Sequence, residues 1–350
     1  MEIAISGYKS VGRVRMELGR VTVLLGPPAA GKSNILEAVA LAAYFDRFAL
    51  YGDVEPLGKL VRTDDVRGLS TYYDGTKTIQ IAVDGGGWRR SLRMHLQKGL
   101  RLELNDADVP VEAAEGRRYL FLYNGLKYRA DTSRIKFDGH VVAKLYGFDR
   151  FRSDVVESMV GGAAAEAPQD LLREDGRNFG AVARRHPEVF RDVNAELKEL
   201  GQVEATLLDD GRVVVSDGHV VAERPPDSLL RVLYVLTGLS SLTSSARLRG
   251  MEGRAIALLE EPEAHPRLLH LFAEHVEQFS EVGYAVITTH SPLLISLLRD
   301  RLDVALYYVY RGCTGLTEVA ELDKDAMAEE FVTAEDILFM KPREALRFRR

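Results

Sequence analysis

The stretch Gly-Pro-Pro-Ala-Ala-Gly-Lys-Ser, residues 26–33, decides the fold class because it fits the pattern G-x-x-x-x-G-K-[ST]. The apolar run Val21–Leu25 precedes it and predicts a strand that is buried on both faces. The apolar stretch Asn34–Phe48 follows it and predicts a helix. A strand, a glycine-bounded loop and a helix, in that order, predict a loop that binds phosphate at the N-terminus of the helix. We call residues 26–33 the phosphate loop.

The chemistry expected of the phosphate loop depends on its backbone amides. Pro27 and Pro28 have no N–H, so the donors to phosphate oxygens must come from the residues after them. Lys32 is predicted to reach the β- and γ-phosphates as a point charge, and Ser33 to coordinate Mg²⁺. The full set predicted to bind nucleotide here is Gly26, Ala29, Ala30, Gly31, Lys32, Ser33 and Asn34.

A pair of carboxylates, Glu260 and Glu261, follows a second apolar run, Ile256–Leu259. Ligands bind at the carboxyl ends of the strands in an open α/β sheet, so a buried strand here would deliver both acids to a ligand site. Glu260 is predicted to hold Mg²⁺ through its water shell. Glu261 is predicted to point elsewhere, because side chains alternate along a strand, and to be the general base that activates the attacking water. Pro262 ends the strand.

A histidine lies in an equivalent position after the next predicted strand. The apolar run Ala285–Ile287 leads through two threonines to His290. His290 is predicted to donate a hydrogen bond to the γ-phosphate and so to report its presence. The predicted catalytic residues are therefore Lys32, Glu261 and His290, and the predicted metal ligands are Ser33 and Glu260.

Turn signals and periodicity divide the rest of the chain. Asp-Gly and Asn-Gly pairs at residues 84–85 and 124–125 predict hairpins in an antiparallel β-subdomain. Residues 161–165 are predicted to be a mobile loop. Asp170–Leu200 is predicted to be helical, with a second helix that starts at Pro187. Strands that alternate with helices after residue 250 predict a parallel sheet. The predicted segments are the phosphate-loop part of the core (1–60), the β-subdomain (61–160), a helical lobe (161–245), the acidic and histidine part of the core (246–320) and a C-terminal tail (321–350).

The overall composition narrows the function classes. A formal net charge of −6 argues against a protein that coats nucleic acid non-specifically, although it leaves a local DNA-binding patch open. The single cysteine, Cys313, excludes an intramolecular disulfide and is expected to be a small buried residue. No apolar run is long enough to span a membrane and residues 1–5 lack the features of a signal peptide, so a cytoplasmic location is predicted. The basic end, Arg343–Arg350, is expected to be a solvated terminus.

The phosphate loop, the Glu-Glu-Pro-Glu-x-His-Pro run from Glu260 and the Thr-His-Ser run at residues 289–291 together resemble those of ABC-type ATPases of the SMC and overcoming-lysogenization-defect class. The likeness covers residues 1–50 and 165–320. Because heptads are not sustained over the roughly 190 residues between the phosphate loop and the helix predicted at Pro226, the chain resembles a head without coiled-coil arms. The resemblance implies an α/β fold, a P-loop NTPase with an ABC-type two-lobed head that has a parallel core sheet, an antiparallel β-subdomain and a helical lobe.

The same resemblance implies cofactors and a partner. The cofactors are ATP and Mg²⁺, and the assembly is an ATP-dependent head-to-tail homodimer. In that dimer each ATP lies between the phosphate loop of one subunit and a signature segment of the other.

By position, the signature segment is residues 226–231, Pro-Asp-Ser-Leu-Leu-Arg. Members of the class usually have a serine in place of Pro226 and a glycine in place of Ser228. Ser228 is implied to bind the nucleotide in trans, with helix-start amides and Arg231 assisting. The metal-contacting glutamine of the class has two candidates, Gln80 and Gln169, and the sequence singles out neither.

The sequence and the resemblance together leave two functions open. The first is a slow ATPase whose ATP-driven dimerisation acts on a partner, in DNA repair or anti-phage defence. The alternative is a nucleotide-gated switch with little or no hydrolysis, which the altered signature favours. A transporter subunit is disfavoured because it would keep an intact signature, and a kinase or GTPase has no need of the Glu-Glu-Pro-Glu run. A nuclease or other effector is expected to be a separate chain.

Overall fold

The computed structural model of the chain describes residues 1–51, 57–63, 65–71, 78–97, 99–114, 121–130, 139–162, 170–201, 203–263 and 265–350. The chain divides into two compact units: unit 1 comprises Met1–Leu145 and Ala305–Arg350, and unit 2 comprises Tyr146–Val304. The two ends of the chain therefore fold into one unit, and its middle forms the other. The phosphate loop belongs to unit 1, whereas the carboxylates and the histidine belong to unit 2.

A mixed sheet forms the centre of unit 1. Its strands are β1 (Glu2–Tyr8), β2 (Val11–Glu17), β3 (Val21–Leu25), β4 (Ile79–Asp84), β5 (Arg89–His95), β6 (Arg101–Leu104), β7 (Ala107–Val109), β17 (Val304–Arg311) and β18 (Thr317–Glu321). They lie in the order β3-β17-β18-β2-β1-β4-β5-β6-β7. β1 is antiparallel to β2 and β4, and β18 is parallel to β2. All residues of β3 are buried, which confirms the predicted strand before the phosphate loop.

The predicted hairpins of unit 1 are confirmed. Residues 84–85 lie in the connection between the antiparallel strands β4 and β5, and residues 124–125 join β9 (Phe121–Tyr123) to β10 (Leu126–Ala130). Together with β8 (Val111–Ala113), β9 and β10 form a separate sheet in the order β8-β10-β9. The strands β4 to β7 instead extend the sheet that carries the phosphate loop.

The helices of unit 1 are α1 (Lys32–Ala42), α2 (Tyr44–Tyr51), α3 (Leu57–Val61), α10 (Lys324–Glu329), α11 (Ala334–Ile337) and α12 (Pro342–Ala345). The prediction of one helix over Asn34–Phe48 is wrong, because α1 ends before α2 begins. Asp46 in the first turn of α2 is fully buried and accepts a hydrogen bond from Arg90 at 2.7 Å. Burial raises the pKa of the Asp46 carboxyl, although the charge of Arg90 opposes this shift. This long-range ion pair fixes α2 to β5. The hydrophobic periodicity of the local sequence does not predict it.

Two expectations for the C-terminal part of unit 1 are wrong. Cys313 is exposed, in the turn between β17 and β18, and is not a buried residue. The end of the chain is packed, since Ala345 and Phe348 are buried and Arg349 forms a β-bridge with Leu322. The helices and the buried apolar side chains between residues 323 and 348 keep this segment folded, in spite of the positive charge of the last residues.

The elements of unit 2 are α4 (Arg152–Gly161), α5 (Phe179–Ala183), α6 (Pro187–Gly201), β12 (Glu204–Leu207), β13 (Val213–Ser216), β14 (Val221–Ala222), α7 (Asp227–Leu248), β15 (Ala255–Glu260), α8 (Leu269–Ser280), β16 (Gly283–Thr288) and α9 (Pro292–Arg301). β11 (Val142–Tyr146) leads from unit 1 into unit 2. β15 and β16 are parallel and joined by α8, which confirms the predicted strand and helix alternation. The carboxyl ends of β15 and β16 therefore lie side by side.

Helix α7 is a core helix of unit 2. It is long and apolar enough to cross a membrane, but 78% of its apolar window is buried within the protein. It runs over 22 residues, from Asp227 to Leu248. The helix therefore packs against other parts of the protein, as expected for a helix that is apolar on all sides.

Within the segment Asp170–Leu200, helical structure begins only at α5, and a second helix, α6, starts at Pro187. Before α5, Asn178 accepts a hydrogen bond from the Arg173 amide at 2.9 Å and donates one to the Leu171 carbonyl at 3.0 Å. These side-chain bonds hold a turn before α5, in a stretch where helical structure was predicted, whereas the predicted start of a second helix at Pro187 is confirmed. Of the predicted mobile loop, residues 163–165 lie outside the described residues, as does Gln169.

Candidate functional site

The phosphate loop turns tightly between β3 and α1. Its backbone has positive φ angles at Gly26 (138°), Ala29 (58°) and Gly31 (107°). A side chain at Gly26 or Gly31 would clash, because a Cβ there would lie 2.0 Å from the Val309 carbonyl oxygen or 2.1 Å from Thr317 Oγ1. The two glycines thus let the loop pass close to β17 and β18 and enter the first turn of α1, where the helix dipole favours an anion.

Lys32 lies across this loop. Its side chain is buried, and Nζ donates hydrogen bonds to the carbonyls of Gly26 at 2.8 Å and Pro27 at 3.1 Å. The amide of Ala30, one of the predicted phosphate donors, donates to the Pro27 carbonyl at 3.3 Å. Ser33 is half-buried in the first turn of α1. The loop therefore holds a cation and helix-start amides within a few residues of one another.

Residues far away in the sequence support the loop within unit 1. Asn34 donates a hydrogen bond to Ser10 Oγ at 2.7 Å, and Ser10 Oγ lies 2.7 Å from Thr317 Oγ1. The Thr317 hydroxyl donates to the Ala30 carbonyl at 2.8 Å. Neither Ser10 nor Thr317 was predicted to belong to the site, since nothing in their local sequence shows that they meet the loop. Gln80 lies on β4 in the same unit.

In unit 2, β15 ends at Glu260 and the chain then makes a sharp turn, residues 260–263, which we call the acidic turn. Glu261 has a φ of +46°, in the left-handed region. Its amide donates to the backbone carbonyl of Thr288 at 3.1 Å, so the turn stays attached to β16. A non-glycine residue in this conformation costs about 1–3 kcal/mol, so the surrounding contacts have to hold it there. The left-handed turn, rather than strand alternation, separates the side chain of Glu261 from that of Glu260.

His290 lies beside the acidic turn, as the sequence predicted for neighbouring strand ends. Its Nε2 is 3.6 Å from Glu261 Oε1, and both side chains are nearly half exposed. Glu263 Oε1 accepts hydrogen bonds from the hydroxyl of Thr289 and from the amide of His290, the latter at 2.7 Å. Glu263 therefore fixes the segment that carries the histidine, a role that the sequence did not reveal.

Glu260 points to a different set of residues, the arginine loop, which comprises residues 147–152. Glu260 Oε2 accepts a hydrogen bond from Arg150 Nε at 2.7 Å and lies 2.7 Å from Nη2 of the same side chain. The Arg150 and Glu260 side chains are only 2% and 11% exposed. Glu260, a predicted metal ligand, is thus part of a buried ion pair.

Arg231 of α7 connects the acidic turn to the arginine loop. Its Nη2 lies 2.7 Å from Asp149 Oδ1, and its Nη1 donates to the carbonyls of Glu261 and Glu263, each at 3.2 Å. Its guanidinium carbon lies 5.2 Å from the centre of the Phe148 ring. Arg231 was predicted to assist in trans, but its guanidinium is engaged here in holding the backbone of the acidic turn.

The signature segment begins helix α7. Pro226 is the N-cap residue and its carbonyl accepts the amides of Leu229 and Leu230. Asp227 forms an ion pair with Arg152 of the arginine loop. Ser228 is exposed in the first turn. Ser228 is thus accessible to another molecule, at a helix start whose amides favour an anion.

The donor chemistry fits ATP with Mg²⁺. The phosphate loop offers amides and an ammonium, and Ser33 of the same unit adds a hydroxyl. The other predicted metal ligand, the carboxylate of Glu260, lies in unit 2. Mg²⁺ prefers hard oxygen ligands and is held by one or two protein groups together with phosphate oxygens and water. Among the described residues no group of three or more histidines, cysteines or acids could hold a metal. A metal here would therefore depend on the nucleotide for its remaining ligands.

Solved structures share this fold. An SMC head bound to the C-winged helix domain of ScpA matches with a TM-score of 0.53 and 15% identity, over 93% of this chain and 98% of that chain. An SMC head domain with an extended coiled coil, bound to the C-terminal domain of ScpA and derived from Pyrococcus furiosus, matches with a TM-score of 0.51 and 13% identity, over 94% of this chain and 98% of that chain. No protein-family model and no curated protein matches the sequence. The chain therefore has the fold of an SMC head domain, which confirms the predicted P-loop fold class.

Proposed function

We propose that this chain, which has the fold of an SMC head domain, binds ATP with Mg²⁺ and hydrolyses it slowly. The observation that carries the proposal is the phosphate loop, in which left-handed turns and a buried lysine lead directly into a helix. Loops of this sequence and shape cradle the phosphates of nucleotides with backbone amides. The likeness to SMC heads supports the same conclusion through the fold.

Each predicted catalytic residue has a role that its position supports. Lys32 and the helix-start amides bind the phosphates and neutralise their charge. Glu261, exposed at the end of β15, accepts a proton from the attacking water, and His290 donates a hydrogen bond to the terminal phosphate. Bound Mg²⁺ would stabilise negative charge on the phosphate oxygens. The strained backbone of Glu261 and the bond from Glu263 to the histidine segment keep these two side chains together.

The phosphate loop of unit 1 and the acidic turn of unit 2 both take part in the proposal. The exposed Ser228 at the start of α7 supports a further element, an ATP-dependent head-to-tail homodimer in which the signature segment of one subunit completes the site of the other. A cytoplasmic location without membrane contact stays a prediction.

The biological partner is part of the proposal. Both solved heads described above are bound to a domain of ScpA, which supports a separate effector chain for this protein as well. The role proposed for the pair is in DNA repair or anti-phage defence. DNA itself is a possible ligand only through a local patch, because the formal net charge of the chain is −6.

The dimer and its turnover are tested together by measuring molar mass and phosphate release with ATP and MgCl₂. We expect a monomer without nucleotide, a dimer with ATP, and slow phosphate release. The ATP-bound dimer should persist longer in Glu261→Gln, in which hydrolysis is expected to be slower. A protein that neither binds ATP nor changes its mass would contradict the proposal.

A second function, a nucleotide-gated switch with little hydrolysis, is favoured by two observations. Pro226 and Ser228 replace the usual serine and glycine of the signature, and Arg231 is held by Asp149 and the acidic turn. We therefore expect weaker trans contacts to the nucleotide in the proposed dimer. Dimerisation on ATP without phosphate release would establish the switch, whereas release at a steady rate would establish the ATPase.

A further inference from the structure

Arg311, the last residue of β17, binds the backbone of the phosphate loop. The residue is exposed, and its Nε donates a hydrogen bond to the carbonyl of Ala29 at 2.9 Å. Nη1 of the same side chain donates to the carbonyl of Gly315 at 3.0 Å, in the turn that joins β17 to β18. One side chain therefore connects two turns of unit 1, although residues 29 and 311 are 282 positions apart in the sequence.

Ala29 has a backbone conformation that favours glycine. Its φ is +58°, in the left-handed region, where a residue with a Cβ is strained. Asparagine and aspartate can stabilise this conformation with a local hydrogen bond from the side chain, but alanine has no polar group that could do so. Contacts from elsewhere in the fold therefore have to hold the loop in this shape, and the bond from Arg311 is made at this residue.

Peptide geometry links this contact to the amides that bind phosphate. In a planar trans peptide the C=O and the following N–H point in opposite directions. The bond from Arg311 to the Ala29 carbonyl therefore also fixes the direction of the Ala30 amide. In the same way, the bond from Thr317 to the Ala30 carbonyl fixes the direction of the Gly31 amide. Because the two prolines of the loop supply no N–H, binding of an anion depends on the directions of these remaining amides.

We propose that Arg311 is a positioning residue for the phosphate loop, which holds Ala29 in the left-handed conformation and so keeps the loop amides in the direction that phosphate binding requires. The inference rests on the proposed function, because it assumes that the loop binds ATP. All residues involved belong to unit 1. A loop that is in its binding conformation for only part of the time binds its ligand more weakly by that fraction. Loss of the Arg311 side chain should therefore lower the affinity for ATP.

The test is an equilibrium titration of a fluorescent ATP analogue in MgCl₂, in wild type and in Arg311→Gln. We expect the dissociation constant to rise about tenfold in the variant, the scale of one hydrogen bond from a charged donor. The midpoint of thermal unfolding should change little, because the lost side chain is on the surface. Arg15→Gln removes an exposed arginine of the same unit, which pairs with Glu2, and should bind the analogue as wild type does.

A second substitution separates positioning from direct contact with the ligand. Glycine adopts the left-handed conformation without strain, so in an Ala29→Gly background the change Arg311→Gln should weaken binding by less than about threefold. Arg311→Lys keeps the positive charge but lacks the planar guanidinium that reaches both carbonyls, and its affinity should lie between those of wild type and Arg311→Gln. An equal loss in the glycine background, or wild-type affinity in Arg311→Lys, would show that the side chain acts on the ligand as a charge and would overturn the positioning role.

The outcomes also separate this inference from the proposed function. Wild-type affinity in Arg311→Gln, with normal binding of the analogue by wild type, overturns the positioning role alone. A wild type that does not bind the analogue overturns both. If Arg311→Gln does not fold, Arg311→Lys is compared in the alanine and glycine backgrounds instead, and its loss of affinity should again be smaller with glycine at position 29.

Discussion

Replacing Glu261 with glutamine is expected to slow ATP hydrolysis by about 10²–10⁴-fold, the usual contribution of a general base. The amide has the shape of the carboxylate but accepts no proton from water at neutral pH. The left-handed backbone at residue 261 should persist, because its amide stays bonded to Thr288. Phosphate release under saturating ATP measures the rate, and a parallel titration should show that ATP still binds.

A matched variant controls for the loss of one negative charge. Glu252 is an exposed carboxylate just before the other end of β15, and Glu252→Gln should hydrolyse ATP at the wild-type rate. Equal rates in wild type and Glu261→Gln would remove Glu261 from the mechanism. The nucleotide-gated switch would then become the better description, provided that ATP still drives dimerisation.

Replacing Lys32 with methionine is expected to weaken ATP binding by about 10- to 100-fold, because hydrogen bonds to a charged group contribute about 1.5–3 kcal/mol. Methionine keeps the length and the apolar stem of the lysine but loses the ammonium. In the structure, this ammonium lies over the phosphate loop on the carbonyls of Gly26 and Pro27. Equilibrium titration with an ATP analogue measures the loss.

The same contacts require a stability control for this variant. Because Lys32 Nζ bonds two carbonyls, Lys32→Met should lower the unfolding free energy by about 1–2 kcal/mol while leaving the protein folded. Lys198→Met, which changes an exposed lysine of α6, should bind ATP as wild type does. A folded Lys32→Met protein with wild-type affinity would contradict the placement of the nucleotide at the phosphate loop.

The parts of the fold that sequence predicts well are those with a local physical cause. The apolar run Val21–Leu25 is a buried strand, the Asn-Gly pair at residues 124–125 is a hairpin turn, and β15 and β16 are parallel strands joined by a helix. In each case the pattern lies within a few residues of the element that it specifies. The positions of His290 and Glu261 at adjacent strand ends follow from the same alternation.

The contacts that shape the site join residues that are far apart in the sequence. Local sequence patterns therefore do not predict them. Glu263 holds the histidine segment, and Arg231 holds the carbonyls of Glu261 and Glu263. Arg150 meets Glu260 across 110 positions of sequence. The one local indication of these contacts in the sequence is the second half of the Glu-Glu-Pro-Glu run, in which a third acid, Glu263, follows the proline. Side-chain roles of this kind need the fold before they can be assigned.

The wrong predictions for the helix at residues 34–48, for the end of the chain and for Cys313 have a common physical origin, which is tertiary packing. The buried pair of Asp46 with Arg90 interrupts a stretch whose periodicity indicates one helix. Packing of Phe348 orders an end of the chain whose charge suggested a solvated terminus. Cys313 is exposed because it lies in a turn, and a single cysteine gives no local indication of its surroundings.

The central claim is that the phosphate loop of unit 1 binds the phosphates of ATP with Mg²⁺, and an equilibrium titration of an ATP analogue with MgCl₂ or with EDTA tests it most directly. The titration compares wild type with Ser33→Ala. If Ser33 coordinates the metal that accompanies the nucleotide, Ser33→Ala loses most of the Mg²⁺-dependent gain in affinity and keeps the affinity measured in EDTA. The same Mg²⁺ dependence in both proteins, or a wild type that does not bind the analogue, would contradict the claim.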